Sequence, residues 1–148
     1  MAWFEGTHEE TRTLGVSPEV AAAHFADPAA ILAATKNVES SSVNDGTIHF
    51  VLQEEDHGVA KFKADYRCTY ACDGTTVTWS SPEGGNLKQS GTAVFSPAPG
   101  GCTVAYRETI ALDLPVPSMM AGMVRPLIGP LLAKEVSSYV DRIVSSLD

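Results

Sequence analysis

The chain has 148 residues, of which 44% are hydrophobic and 19% charged, a balance typical of one globular domain spanning residues 1–148. Ten Lys and Arg residues stand against 18 Asp and Glu residues, giving a net charge of −8 with no basic cluster. This composition argues against a nucleic-acid partner, and the chain lacks the polybasic patch that holds proteins on anionic lipid.

The ends and cysteines of the chain indicate a soluble, cytoplasmic protein. The start, MAWFEGTHEE, has neither the basic residues nor the apolar run of a secretory signal. Residues 114–132 are apolar and long enough to span a bilayer, but four prolines and Arg125 interrupt them. We therefore expect no transmembrane segment, although transient membrane contact stays open.

The odd number of cysteines, Cys68, Cys72 and Cys102, predicts reduced thiols, and we expect no metal and no cofactor.

Residues 3–14 mix apolar and polar side chains with several threonines, which predicts a first strand. Two capping signals follow, each a polar residue directly before a proline: Ser17-Pro18 and Asp27-Pro28. They predict two short helices, over residues 18–26 and 28–34.

From Val38 the hydrophobic pattern repeats every two residues, which is typical of strands. Turns are predicted at residues 44–46 and 56–58, and residues 59–72 are predicted to form one long strand. In that strand one set of side chains should face inward: Phe62, Ala64, Tyr66, Cys68, Tyr70 and Cys72. Six strands follow the helices, so the sheet should have seven antiparallel strands.

The last segment carries apolar residues at helical spacing up to Leu147. We expect a helix from Ser118 to Leu147, bent between Arg125 and Pro130 because Pro126 and Pro130 fall inside it. Strands in one run, with helices grouped elsewhere, indicate an α+β fold.

The segment SPEVAAAHFADPAAIL, with its Ser/Pro cap, helix, Asp-Pro and second helix, resembles the START-like, or SRPBCC, helix-grip superfamily. Birch-pollen allergen-like proteins and polyketide cyclases belong to it. The segments EGTHEETRTL, DPAAILAATKNVES, GVAKFKADYRCTY and PEGGNLKQSGTAVF look most similar to the G-type subunit family of carbon monoxide dehydrogenase. The resemblance covers nearly the whole chain. It implies a helix-grip fold, in which a curved seven-stranded antiparallel sheet and the C-terminal helix enclose an apolar cavity.

The inward faces of the strands supply the candidate ligand-binding residues: Phe50, Phe62, Tyr66, Tyr70, Trp79, Gln89, Phe95, Tyr106 and Glu108. Most are apolar or aromatic, as a small-molecule pocket requires. The alternative interpretation is that they fill a solid core.

Glu108 is the candidate catalytic residue, because alternation places it on the same face as Tyr106 and Ile110. A buried carboxyl group has a raised pKa and can orient a ligand or exchange a proton. The alternatives are a bulge that turns Glu108 to solvent, or an ion pair with Arg12. His8 could reach the same cavity, whereas His24 suits packing or the surface.

Met119, Met120 and Met123 lie where the last helix begins. Because methionine adapts to varied shapes, they could form a pliable lid at the cavity mouth. They could equally be filler in a core wedge.

These patterns favour a protein that binds or carries a hydrophobic or amphipathic small molecule, such as a lipid, a quinone or a polyketide-like compound. Binding without catalysis is the favoured hypothesis, since no nucleophile, zinc or phosphate-loop motif occurs. A cyclase or dehydratase using Glu108, with His8 or Tyr106, is the alternative. A weaker one is an assembly factor that docks on an unknown partner protein through the Met-rich segment.

Overall fold

The computed structural model describes residues 2–56 and 60–147. Its main sheet has seven antiparallel strands in the order β1-β9-β8-β7-β6-β3-β2. The strands are β1 (Ala2–Leu14), β2 (Val38–Asn44), β3 (Thr47–Leu52), β6 (Asp65–Asp73), β7 (Thr76–Ser80), β8 (Leu87–Ala98) and β9 (Gly101–Leu114). With two short helices after β1 and a long C-terminal helix, the predicted fold class is confirmed.

The predicted strand over residues 59–72 is divided in the structure. Its first part, β5 (Lys61–Phe62), pairs with β4 (Glu55–Asp56) in a separate two-stranded sheet, and β6 then joins the main sheet at Asp65. The turn expected at residues 56–58 and the start of that strand lie outside the described residues.

Alternation nevertheless continues across the division. Phe62, Ala64, Tyr66 and Cys68 are buried, as predicted, while the residues between them are exposed. Cys72 is exposed instead of facing the core, because β6 is ending there and the thiol lies 3.6 Å from the Gly74 carbonyl oxygen in the following turn.

The two short helices are α1 (Pro18–Phe25) and α2 (Pro28–Ala34), which confirms the capping signals. The Ser17 side chain accepts a hydrogen bond from the Val20 amide, and Asp27 accepts one from the Ala29 amide, both at 3.2 Å. Such caps satisfy amide groups that have no partner inside the helix. The helices therefore begin where the sequence predicts.

The C-terminal segment begins with a single 3₁₀ turn (Ser118–Met120) and continues as α3 (Ala121–Ser145). Neither Pro126 nor Pro130 ends the helix, and both are exposed, so water can reach carbonyl groups that lack an amide partner. The bend expected between Arg125 and Pro130 stays a prediction. Among residues 2–56 and 60–147, no helix is both long and apolar enough to cross a membrane.

Helix α3 packs against β1, β9 and α2, and it buries one face along its whole length. Its contact with β1 is close: a Cβ atom added at Gly6 would lie 2.4 Å from the Gly129 carbonyl oxygen. This position needs glycine because backbone meets backbone there. The helix is thereby held across the first and last strands, on the side where the cavity lies.

Candidate functional site

Two adjoining cavities lie between the main sheet and α3. The outer cavity has a volume of about 110 Å³, and the inner one about 10 Å³, which is room for about one water molecule. The outer cavity is lined mainly by apolar side chains: Leu52, Phe62, Ala64, Leu87, Ile110, Leu112, Leu132 and Val136. Its volume approaches the ~150 Å³ of a cavity that takes up benzene.

The outer cavity runs from the protein surface to the buried side of the sheet. Lys36, Gln53 and Glu135 line it and are exposed, whereas Leu112 and Glu108 line it and are buried. The exposed end also carries Glu55 and Arg142. The mouth therefore has both signs of charge, and the depth is apolar apart from a few polar groups.

Glu108 stands at the deep end, where it lines both cavities and is 4% exposed. Pairing of β9 with β1 and with β8 continues without a shift through this position, so no bulge turns the side chain to solvent. Its carboxyl group accepts hydrogen bonds from the Tyr106 hydroxyl at 2.6 Å and from Trp79 Nε1 at 3.2 Å. Alternation thus predicted the face of Glu108 correctly.

The neighbouring strand explains how Trp79 reaches Glu108. Trp79, Gly91 and Glu108 lie side by side on β7, β8 and β9. A Cβ atom at Gly91 would lie 2.5 Å from Cζ2 of Trp79 and 2.5 Å from the Arg107 carbonyl oxygen. Because Gly91 has no side chain, the indole can lie across β8 and donate to the carboxyl group. The alternation of side chains along β8 gives no sign of this role of Gly91.

Burial raises the pKa of Glu108 from 4.5 to about 7, although the bonds from Tyr106 and Trp79 act in the opposite direction. Burial, followed by the nearby Glu108 carboxyl group, raises the pKa of Tyr106 well above its usual value. Tyr106 therefore keeps its proton and donates a hydrogen bond to Glu108. At neutral pH Glu108 itself occurs in both forms, so it can give or accept a proton.

The ion pair considered between Arg12 and Glu108 is not formed. Arg12 binds Asp141 at 2.7 Å and Glu10 at 2.8 Å instead. His8 lies opposite Glu108 in the β1–β9 pair, but its ring bonds to Glu10 at 2.9 Å and lines neither cavity. Within the described residues, both hydrogen bonds to Glu108 come from uncharged donors.

Gln89 and Tyr139 join Glu108 as the residues that line both cavities. Tyr70 is on the inner side, and its hydroxyl lies 3.4 Å from the Gln89 side-chain oxygen. Tyr139 extends from α3 and is half-buried. These three shared residues form a polar partition between the outer and inner cavities.

The structure separates the predicted aromatic residues into two groups. Phe62 and Tyr66 line the outer cavity, and Tyr70, Trp79 and Tyr106 line the inner one. Phe50 and Phe95 line neither: Phe50 stacks on Tyr66 with ring centroids 4.8 Å apart, and Phe95 packs against Phe25 at 5.0 Å. For Phe50 and Phe95 the core interpretation is correct, and each packs against a residue that lines a cavity.

The methionines also lie away from the cavities. Met119, Met120 and Met123 are exposed by 89%, 45% and 74%, and they line neither cavity. The α3 residues that face the sheet at this end are Ala121, Val124 and Ile128. The expectation of a methionine lid at the cavity mouth is therefore corrected: helical register turns these side chains to solvent. The alternative of core filler is wrong for the same reason.

Other lining residues lie outside the strands of the main sheet, so two-residue alternation could not predict them. Thr35 and Lys36 follow α2, Gln53 follows β3, and Tyr139 and Arg142 belong to α3. The apolar pattern of the last helix includes Tyr139, but such a pattern does not distinguish a cavity residue from a packing residue. His24 also proves to be structural, since its ring contacts the Ile143 carbonyl oxygen and the Ser146 hydroxyl, both at 3.0 Å.

No metal site is evident within residues 2–56 and 60–147, where no three His, Cys, Asp or Glu side chains come together suitably. Cys68 is buried beside the cavity residues, and burial raises the pKa of its thiol to about 12. The polar groups at the deep end of the outer cavity are the Glu108 carboxyl, the Gln89 amide and the Tyr139 phenol.

No model of a known protein family matches the sequence, and no curated protein is significantly similar to it. Solved structures are similar over nearly the whole chain. The protein TTHA0849 from Thermus thermophilus has a TM-score of 0.70 at 20% identity, covering 97% of this chain and 96% of that one. The Zhui aromatase/cyclase from Streptomyces sp. R1128 has a TM-score of 0.66 at 8% identity, covering 99% and 94%.

A norcoclaurine synthase point mutant from Thalictrum flavum, solved with a transition-state analogue, has a TM-score of 0.64 at 13% identity, covering 99% and 96%. Identities this low bear on architecture and leave the closer likeness to the carbon monoxide dehydrogenase family a prediction. Together with the strand order and the long final helix, this structural likeness shows that the chain has the helix-grip fold.

Proposed function

We propose that this chain, acting as a single domain in the cytoplasm, binds or carries a hydrophobic or amphipathic small molecule in the outer cavity. The observation that carries the proposal is an apolar cavity, open at one end, whose deep end presents Glu108 and Gln89. Apolar walls supply affinity through burial, and a few fixed polar groups orient the ligand.

The size of the cavity limits what it holds without rearrangement. A volume of about 110 Å³ suits a ring or a short chain. A lipid, quinone or polyketide-like compound would place one such part inside and leave the rest at the mouth. We therefore expect the ligand to be held by one end.

Native mass spectrometry of the protein purified from its host tests this proposal. We expect a retained small molecule, or uptake of a member of a panel of quinones, fatty acids and aromatic polyketides. The change Val136→Phe fills space on the cavity wall, and it should abolish uptake. The matched control is Val94→Phe, the same change at an exposed position on β8, which should leave uptake intact. Failure of the whole panel, or equal uptake by Val136→Phe, would contradict the proposal.

The alternative of a cyclase- or dehydratase-type enzyme is favoured by one specific observation. Glu108 has a pKa near 7, accepts a hydrogen bond from Tyr106, and lines the cavity, so it could exchange a proton with a bound substrate. Under this alternative, Glu108→Gln abolishes turnover and leaves binding within a fewfold of the unchanged protein. Loss of binding without any detectable turnover would favour the carrier.

A further inference from the structure

Glu108 is a buried acid whose described partners include no cation. Its two hydrogen bonds come from the Tyr106 hydroxyl and the Trp79 indole, both uncharged. Three basic residues on the elements packed against β9 are engaged elsewhere: Arg12 and His8 bind Glu10, and Arg142 donates to the Ala34 carbonyl oxygen at 2.6 Å. A buried carboxylate of this kind gains more from an incoming cation than a solvated or paired one would.

The surroundings of Glu108 also suit a positive charge. Aromatic rings line the partition and the inner cavity, among them Tyr139, Tyr70 and Trp79. The faces of such rings attract cations. Each hydrogen bond that Glu108 accepts leaves lone pairs on the same oxygen for a further donor. An ammonium group supplies both the charge and the donors.

The same geometry disfavours an anionic ligand group. A carboxylate or phosphate at the deep end would face Glu108 without a neutralising base, in a chain with a net charge of −8. The exposed mouth does not reverse this preference, because Lys36 and Arg142 are balanced by Glu55 and Glu135. Selection by charge therefore resides at Glu108.

We propose that the outer cavity selects small organic amines, with the ammonium group bound at Glu108 and a ring-sized apolar body against the cavity wall. This inference rests on the proposed function, because it requires that the outer cavity is the binding site. It narrows the ligand class from any amphipathic molecule to one with a cationic head.

Isothermal titration calorimetry with three probes of similar size tests the proposal: 2-phenylethylamine, 2-phenylethanol and 3-phenylpropanoate. We expect the amine to bind at least tenfold more tightly than the alcohol, and the carboxylate to bind most weakly. In Glu108→Gln the amine should lose this advantage, while the alcohol still binds. The control, Glu9→Gln at an exposed position that lines neither cavity, should keep the preference for the amine.

The pH dependence of binding provides a second test that needs no variant. Glu108 goes from about one-tenth to about nine-tenths ionised between pH 6 and pH 8, whereas the amine stays charged. Affinity for the amine should rise by up to about tenfold, and affinity for the alcohol should not. The groups around Glu108, namely Tyr66, Cys68, Tyr70, Tyr106 and Tyr139, all have pKa values raised above this window. Further out are Arg142 on α3 and the Glu10, His8 and Arg12 cluster on β1.

The outcomes separate this proposal from the broader one. Equal binding of amine and alcohol, or a preference for the amine that survives Glu108→Gln, overturns selection by charge but leaves the carrier function standing. Amine affinity that falls as pH rises also overturns it, because Glu108 would then act as a protonated donor. If no probe binds and the panel of quinones, fatty acids and polyketides fails as well, both proposals are contradicted.

Discussion

At the scale of single residues, the site depends on one buried carboxyl group and on one glycine, whose lack of a side chain leaves space for a neighbour. Glu108 is buried with two uncharged donors, and Gly91 leaves the space through which Trp79 reaches it. Alternation along β9 predicted the inward face of Glu108 but not its two donors. The role of Gly91 depends on which residue lies beside it on the adjacent strand. A glycine within a strand can occur for several structural reasons, so the sequence alone does not identify this one.

The raised pKa of Glu108 predicts a pH-dependent stability. Between pH 4.5 and about 7 the folded state keeps a proton on Glu108 that the unfolded chain releases, so raising the pH favours unfolding. The contribution reaches roughly 3 kcal/mol, lost progressively up to about pH 7 and constant above it. Urea unfolding at pH 5 and pH 8 should show most of this loss in the unchanged protein. It should be absent in Glu108→Gln and present in the exposed control Glu9→Gln.

The role of Gly91 predicts that Gly91→Ala disturbs the site. The added methyl group would meet both the indole of Trp79 and a backbone oxygen, so the free energy of unfolding should fall by roughly 1–3 kcal/mol. Displacing Trp79 removes a donor to the carboxyl group, so the pKa of Glu108 should rise further, as measured by NMR titration. Gly122→Ala, whose Cβ would meet nothing within 4 Å, is the matched control. Unchanged stability of Gly91→Ala would argue against the close contact.

At the scale of elements, the first half of α3 carries two neighbouring apolar stripes, of which only one is buried. One face, with Val124, Ile128 and Leu132, is buried against the sheet. The other begins at Met119 in the preceding 3₁₀ turn and continues with Met123, Leu127 and Leu131 of α3 at four-residue spacing, and all four are exposed. A sequence pattern with two apolar stripes does not say which stripe meets the sheet, and this is why the methionines were misplaced.

The exposed stripe predicts that polar substitutions there are tolerated. Met123→Gln combined with Leu127→Gln should change the free energy of unfolding by less than about 1 kcal/mol and leave cavity binding intact, because both side chains already contact solvent. Ile128→Ala, on the buried face, should lower it by roughly 2–5 kcal/mol. Urea denaturation of the two variants in parallel checks this contrast. Loss of ligand binding in the double variant would contradict this expectation, because it would show that the exposed stripe takes part in binding.

At the scale of the whole molecule, the cavity is enclosed by elements that are far apart in the sequence. Residues 35–36, the β3–β5 region, strands β6, β8 and β9, and helix α3 all contribute lining residues. A ligand that fills the cavity therefore contacts several elements at once and binds only when they are assembled. Its binding should stabilise the whole fold.

This linkage predicts a thermal shift. A ligand of the outer cavity present at about 100 times its Kd should raise the free energy of unfolding by about 2.7 kcal/mol, which is roughly 5–10 °C in Tm for a domain of this size. Differential scanning calorimetry at increasing ligand concentration measures it. Val136→Phe should show no shift and Val94→Phe the full shift. A thermal shift of equal size in the two variants would show that the ligand binds outside the outer cavity.

The sequence by itself determined the order of the helices and of the main-sheet strands, the helix caps and the inward face of Glu108. These properties follow from local rules, because capping, turn geometry and two-residue alternation act over a few positions. Only the tertiary structure decided which inward-facing residues line the cavity and which fill the core. Phe62 borders the cavity, whereas Phe50 and Phe95 fill the core. Tyr139 joins the partition from α3. Alternation reports the direction of a side chain, whereas a cavity exists only where several packed elements together leave space.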